Sequence, residues 1–184
     1  ESKDNTNRVL ETFQSTGQLP EQANSHPKIA AQDLSSHLQP GAYVSVLAYT
    51  TPSRSFETAV NRFRKVLMTQ HRVATTFGYG PRYLHSTGQL HKGGPNTGVF
   101  LELVDQMAPD TAIPGKPFSF GTLAKAQATG DMESLSAHHR HAVRVQLGRD
   151  QAATVNAITA ALTATSPSRR RRASLKKRPK HSRR

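Results

Sequence analysis

Apolar residues in this chain come in short runs whose spacing alternates between every second and every third or fourth position. Val9, Leu10 and Phe13 form one stripe within residues 5–16, and Gly17 followed by Pro20 stops it, so a helix is predicted there. Residues 20–40 carry Pro20, Asn24, Ser25, Pro27 and Pro40, with Gly41 next, and read mostly as connection, with room for a short helix over 28–38. The run 43–49 is short, apolar and rich in β-formers, which predicts a buried strand. From Pro52 to about Gln70, Phe56, Ala59, Val60, Phe63, Val66 and Leu67 recur at helical spacing, with Arg62 and Lys65 on the solvated side. Strands are predicted again at 73–77, 98–104 and 141–147, where Val143, Val145 and Leu147 alternate inward. Residues 108–118 read as a Pro/Gly loop. A helix or helix pair follows over 119–139, with Gly130 as the break and Asp131 as a second N-cap. A closing helix over 152–164 presents Val155, Ile158 and Leu162 on one face.

Strands alternating with helices of this length predict the α/β class: an αβα sandwich around a small, mostly parallel sheet. The expected organisation is a helical lead-in and linker over 1–40, an α/β subdomain over 41–164 and a disordered basic tail over 165–184. Four strands make a thin core for a sheet that needs both faces covered, which points to part of a larger body. The chain also opens on Glu1 rather than Met, as a piece of something longer or a processed product would. The pentapeptide at 15–19 recurs at 86–90, but no 20–50-residue period stands behind it.

Charge alters this picture only at one end. The 184 residues hold 25 Lys and Arg against 12 Asp and Glu, a net of +13. Ten of the basic residues lie at 169–184, where there is no acid, so 15 basic and all 12 acidic residues remain in 1–168, a net of +3. The body is an ordinary domain, and the basicity belongs to the tail. Such a run stays disordered in isolation because like charges repel and nothing can be buried. It could hold nucleic acid by counterion release, or an anionic membrane surface. The absence of cysteine excludes disulfides, thiolate metal sites and a cysteine nucleophile. No signal peptide and no apolar run of membrane-spanning length is visible, and a cytoplasmic location is expected.

Polar and ionisable groups concentrate at 78–98, directly after a predicted strand, where open α/β sheets bind ligands. Pro81 suits a helix start, and Gly93 with Pro95 a helix end. On a helix over 81–92, with about 100° per residue, Arg82, His85, Gln89 and Lys92 share a face about 80° wide. Tyr83, Leu84, Thr87, Leu90 and His91 then face the core. Arginine, lysine, a helix N-terminus and nearby glycine amides favour an anion, while His and Gln add partners for hydroxyls. That chemistry suits a phosphorylated sugar better than a nucleobase, because stacking aromatics are few. A merely solvated helix face is the competing reading.

The run Gly80-Pro81-Arg82-Tyr83-Leu84-His85-Ser86-Thr87-Gly88-Gln89-Leu90-His91-Lys92-Gly93-Gly94-Pro95-Asn96-Thr97-Gly98 resembles the C-terminal part of phosphoglucose isomerases. It is most similar to the form fused behind a transaldolase in bifunctional bacterial enzymes. Residues 41–49, 113–121 and 125–131 resemble neighbouring segments of that family, so the likeness spans about 5–150 and excludes the tail. The resemblance implies a sugar-isomerase subdomain interconverting glucose 6-phosphate and fructose 6-phosphate through an enediol, with no metal or organic cofactor. It implies a homodimer and the rest of an isomerase or transaldolase chain as partners. Lys92 matches the family's ring-opening lysine and Gln89 its helical partner, at a shorter interval than in the conventional enzyme. Arg82 and His85 become substrate-side neighbours. The catalytic base and the Ser/Thr-rich phosphate loop have no match here and are expected upstream of residue 1.

Other signals are read more plainly. Glu102 falls on a strand and is expected at the surface. His138, His139 and His141 cluster near a helix end, while His26 and His37 are scattered. With no carboxylate or cysteine recognised at a metal-ligand interval, the cluster is expected to be a surface feature. No Ser/His/Asp arrangement stands out. The competing function is a small α/β binding module that uses its tail for non-specific nucleic-acid binding.

Overall fold

The computed structural model describes residues 2–106 and 109–165. At its centre lie β1 (Tyr43–Tyr49), β2 (Ala74–Tyr79), β3 (Gly98–Val104) and β4 (His141–Gln146). These four strands pair in the order β2-β1-β3-β4, every pairing parallel. The strands fall where the apolar spacing puts them, to within two residues at each end. Around them pack α1 (Ser2–Thr16), α2 (Pro27–His37), α3 (Arg54–Val66), α4 (Ser86–Gly93), α5 (Phe120–Ala137) and α6 (Gln151–Thr165). The expected αβα sandwich is therefore present, with a sheet that is wholly parallel among the described residues.

Alternation along each strand sends its residues to two different layers. Val44, Val46, Leu101, Leu103, Val143 and Val145 face α2, α3 and α6, where Leu34, Phe56, Phe63 and Ile158 complete one buried cluster. Leu47, Tyr49, Phe100 and Val104 face the opposite way, beneath Tyr83 and the α5 residues Ala128 and Leu135. Both faces are covered, as a parallel sheet requires. No helix among the described residues is long and apolar enough to cross a membrane.

Three expectations need correction. Residues 1–40 are not a lead-in: α1 packs on α5 through Val9, Leu10 and Ala126, and α2 supplies Ala30, Ala31 and Leu34 to the main core. Next, α5 runs through Gly130 without a break. A Cβ on Gly130 would lie 2.9 Å from the Thr6 nitrogen, so this glycine serves the close crossing of α1 over α5. Asp131 is consequently no N-cap but sits in mid-helix, 1% exposed. Finally, 81–92 is not one helix. A 3-10 turn over Arg82–Leu84 ends at His85, whose ψ of −111° leaves the helical region, and α4 starts afresh. Of the expected disordered tail, 165–184, Thr165 is the last residue of α6, and residues 166–184 lie outside the described residues, as does any nucleic-acid or anionic-surface contact they would make.

Candidate functional site

Neighbouring strands β1 and β3 send the chain to opposite faces of the sheet: β1 leads into α3 on one side and β3 into α5 on the other. In an open parallel sheet such a switch point opens a crevice outside the carboxyl ends of the two strands. A cavity of about 520 Å³ lies there, lined by Thr50, Thr51 and Pro52 after β1, Gly80 after β2, and Pro109, Asp110, Thr111, Phe120, Gly121 and Ala124 after β3.

Two glycines shape its floor. A Cβ on Gly80 would come within 2.4 Å of the Tyr49 ring, so only glycine lets the chain leave β2 over that buried tyrosine. A Cβ on Gly121 would come within 2.6 Å of the Asp110 carboxylate. Its absence lets Asp110 accept hydrogen bonds from the backbone N–H of Gly121, at 2.7 Å, and of Thr111, at 2.8 Å. The Ser119 hydroxyl donates to the same carboxylate and also caps α5, accepting from the Thr122 N–H at 3.1 Å. These hydrogen bonds, Ser119 first, hold the Asp110 pKa below its ordinary value. The N-terminus of α5 thus already carries an anion belonging to the chain itself.

The four residues expected to share a ligand face do not share one. Arg82, His85 and Gln89 are exposed, and none of the four lines the switch-point cavity. Arg82 follows β2 at the carboxyl edge of the sheet, its guanidinium 5.8 Å from the centre of the Tyr79 ring. From His85, α4 runs toward the opposite edge, where Thr97 accepts from the Tyr43 N–H at the start of β1. Gln89 and Lys92 lie along this descent, Lys92 about 10 Å from the start of α4. The Lys92 ammonium turns inward to the Asp131 carboxylate at 2.5 Å, while the Tyr83 hydroxyl donates to the other oxygen at 2.7 Å. The break at His85 rotates α4 relative to the preceding turn, which undoes the single wheel. His91 does face the core, as the wheel predicts, and is 2% exposed; Leu90 does not and is 57% exposed.

Under α4 and α5 lies a polar layer that sequence reading missed. Glu102, expected at the surface, is fully buried and paired with Arg144, its register partner on β4. Its other oxygen has no hydrogen-bond partner among the described residues. Burial pushes the Glu102 pKa up to about 8 against the pull of Arg144. Thr76 donates to the Ser45 hydroxyl at 2.8 Å, and the same hydroxyl is hydrogen-bonded to Nε2 of His91 at 3.3 Å. Tyr79, near the crevice, donates to Glu57 at 3.1 Å, and burial with that bond raises its pKa to about 12. A second group missed is Asp33, His37 and His141, brought together at the amino edge of the sheet. Asp33 and His37 stand four apart on α2, an interval that places both on one helix face and that the reading of the histidines overlooked.

The chain matches no protein-family model and no curated protein. Among solved structures it is similar to a hypothetical protein from Thermus thermophilus, with a TM-score of 0.63 at 17% sequence identity. The match covers 95% of this chain and 48% of that one, so the chain spans about half the length of the relative. At this identity the likeness concerns the fold alone.

Proposed function

We propose that this chain is the C-terminal sugar-isomerase subdomain of a glucose-6-phosphate/fructose-6-phosphate isomerase, and that it holds the hydroxyl end of the substrate in the crevice between β1 and β3. The observation that carries the reading is the placement of a threonine-lined cavity at the switch point of a parallel sheet, immediately beside the 80–98 segment that resembles the isomerases. Thr50, Thr51 and Thr111 offer hydroxyl donors and acceptors for a polyol. Phosphate is better bound elsewhere, because the Asp110 carboxylate already occupies the α5 N-terminus and would repel it. This division agrees with a phosphate loop and a base supplied from outside these residues.

Within this reading Arg82 and His85, at the carboxyl edge of the sheet, are the members of the expected face placed for the substrate. Their donors would stabilise the charge that builds on an enediolate. Lys92, tied to Asp131, would have to leave that carboxylate to assist ring opening, and Gln89 would follow it. The rest of the isomerase or transaldolase chain, and a second copy in a homodimer, would complete the site. Amide NMR of the labelled 184-residue chain titrated with fructose 6-phosphate tests the proposal. Saturable shifts at Thr50, Thr51, Gly80 and Gly121, weakened in Arg82→Ala, are expected. Shifts confined to α4, or none at millimolar sugar phosphate, would remove the crevice from the proposal.

A further inference from the structure

The amino edge of the sheet carries a different chemistry. Asp33 and His37 project from α2, and His141 opens β4 against them. The His141 Nε2 lies 2.9 Å from an Asp33 carboxylate oxygen. The His37 and His141 rings stack with centroids 3.4 Å apart and planes 15° apart. Ligand atoms of the three side chains all lie within 4.8 Å of one another. Beside them is a cavity of about 250 Å³ lined by His37, His141, His139 and Asn96 among others.

Hydrogen bonding settles which ring atoms are available. His37 Nδ1 lies 2.9 Å from the backbone carbonyl of Asp33, which only accepts, so Nδ1 carries the hydrogen and the neutral ring keeps its lone pair on Nε2. The Ser36 hydroxyl, 3.1 Å from the same Nδ1, helps fix the ring. Metal-bound histidines are held by a carbonyl at one nitrogen in the same way; here the stacked rings direct their in-plane lone pairs side by side, so one ring must turn out of the stack for both to meet one ion. His141 presents Nε2–H to a carboxylate. An ion replacing that proton would find a nitrogen and an oxygen 2.9 Å apart, close to the ~3.3 Å edge of a tetrahedral zinc site.

We infer that Asp33, His37 and His141 form a two-histidine, one-carboxylate site for a divalent transition-metal ion of the zinc, cobalt and nickel class, its remaining position facing the 250 Å³ cavity. Two imidazoles disfavour magnesium and calcium, which take oxygen ligands. As the metal–nitrogen bond forms at Nε2, the hydrogen of a neutral His141 ring moves to Nδ1, so that ring releases no net proton. Side-chain exposures of 44% for His37, 30% for His141 and 35% for Asp33 give the ion a route in. Once bound, it would pin α2 to β4. The site is independent of sugar turnover.

Calorimetric titration of the metal-free 184-residue chain with zinc chloride, in two buffers of different ionisation enthalpy, tests this. One ion per chain in either buffer is expected, with affinity at least tenfold weaker in His37→Ala and in Asp33→Asn. His37 is exposed, so its variant retains the fold; cobalt absorption on the unmodified chain gives a reading that needs no variant. Saturation of nitrogen-ligated cobalt bands at one equivalent supports the site. Unchanged affinity in both variants, loss only in His139→Ala, or the absence of saturable cobalt bands would each overturn it.

Discussion

His91 shows how far a single side chain's environment can be carried into a measurable property. Burial disfavours its charged form and lowers its pKa to about 4; the nearby Lys92 adds to this, and Asp131 opposes it. An unfolded histidine titrates near 6.5, so between about pH 4 and 6.5 the unfolded chain binds more protons than the folded one. The stability contributed by neutral His91 is therefore complete above pH 6.5 and is lost as pH falls toward 4, about 3 kcal/mol in all. Glu102 acts in the opposite sense, its contribution complete below about 4.5 and lost as pH rises through about 8. Comparing urea unfolding of the unmodified chain with His91→Gln at pH 7.5, 6 and 4.5 isolates the histidine. The advantage of the native residue should shrink steadily with acid, and a pH-independent difference would show that His91 is not buried as a neutral ring. The inward direction of His91 was legible from helical spacing. The partner of Lys92 was not, because Asp131 lies 39 residues away and on another element. Glu102 escaped too: a carboxylate in a strand reads as solvent-facing unless its register partner is known to be Arg144.

Among elements, strands and long helices were the legible ones. Runs such as 43–49 and 98–104 are apolar apart from Ser45 and Glu102, and their boundaries coincide with those of β1 and β3. The spacing in α3 also holds: Phe56, Ala59, Val60 and Phe63 are all buried. Failure came where a glycine had two possible meanings. Gly130 reads as a helix breaker, yet here it is the place where α1 meets α5, with Thr6 and Asn5 atoms 2.9–3.2 Å from the position a Cβ would take. Gly130→Ala should consequently lower the melting temperature, because overpacking of about 1–3 kcal/mol outweighs the ~1 kcal/mol gained in helix propensity. Gly93→Ala, at the end of α4 with nothing within 4 Å of its Cβ, should be neutral or slightly stabilising. Equal effects of the two substitutions in thermal denaturation would remove the crossing as the reason for Gly130.

For the molecule as a whole, the proposed isomerase reading makes the described crevice one wall of a larger site. Its carboxylate, Asp110, is held by three hydrogen-bond donors with a lowered pKa, which suits a fixed structural anion rather than a base shuttling protons. A coupled assay on the 184 residues alone should therefore show no isomerisation of fructose 6-phosphate above background, even where the sugar phosphate binds. Substantial turnover would place the base within this chain and contradict the division of labour. Fold class, order of elements and the inward face of most of them followed from the sequence alone, because hydrophobic period is a local property that each segment carries by itself. Tertiary structure alone decided that Lys92 meets Asp131, that Glu102 meets Arg144, that Asp33 and His37 meet His141, and that the crevice opens between β1 and β3. Those facts depend on strand order and on groups 39 to 108 residues apart, and a pairing across such distances leaves no periodic trace in the chain.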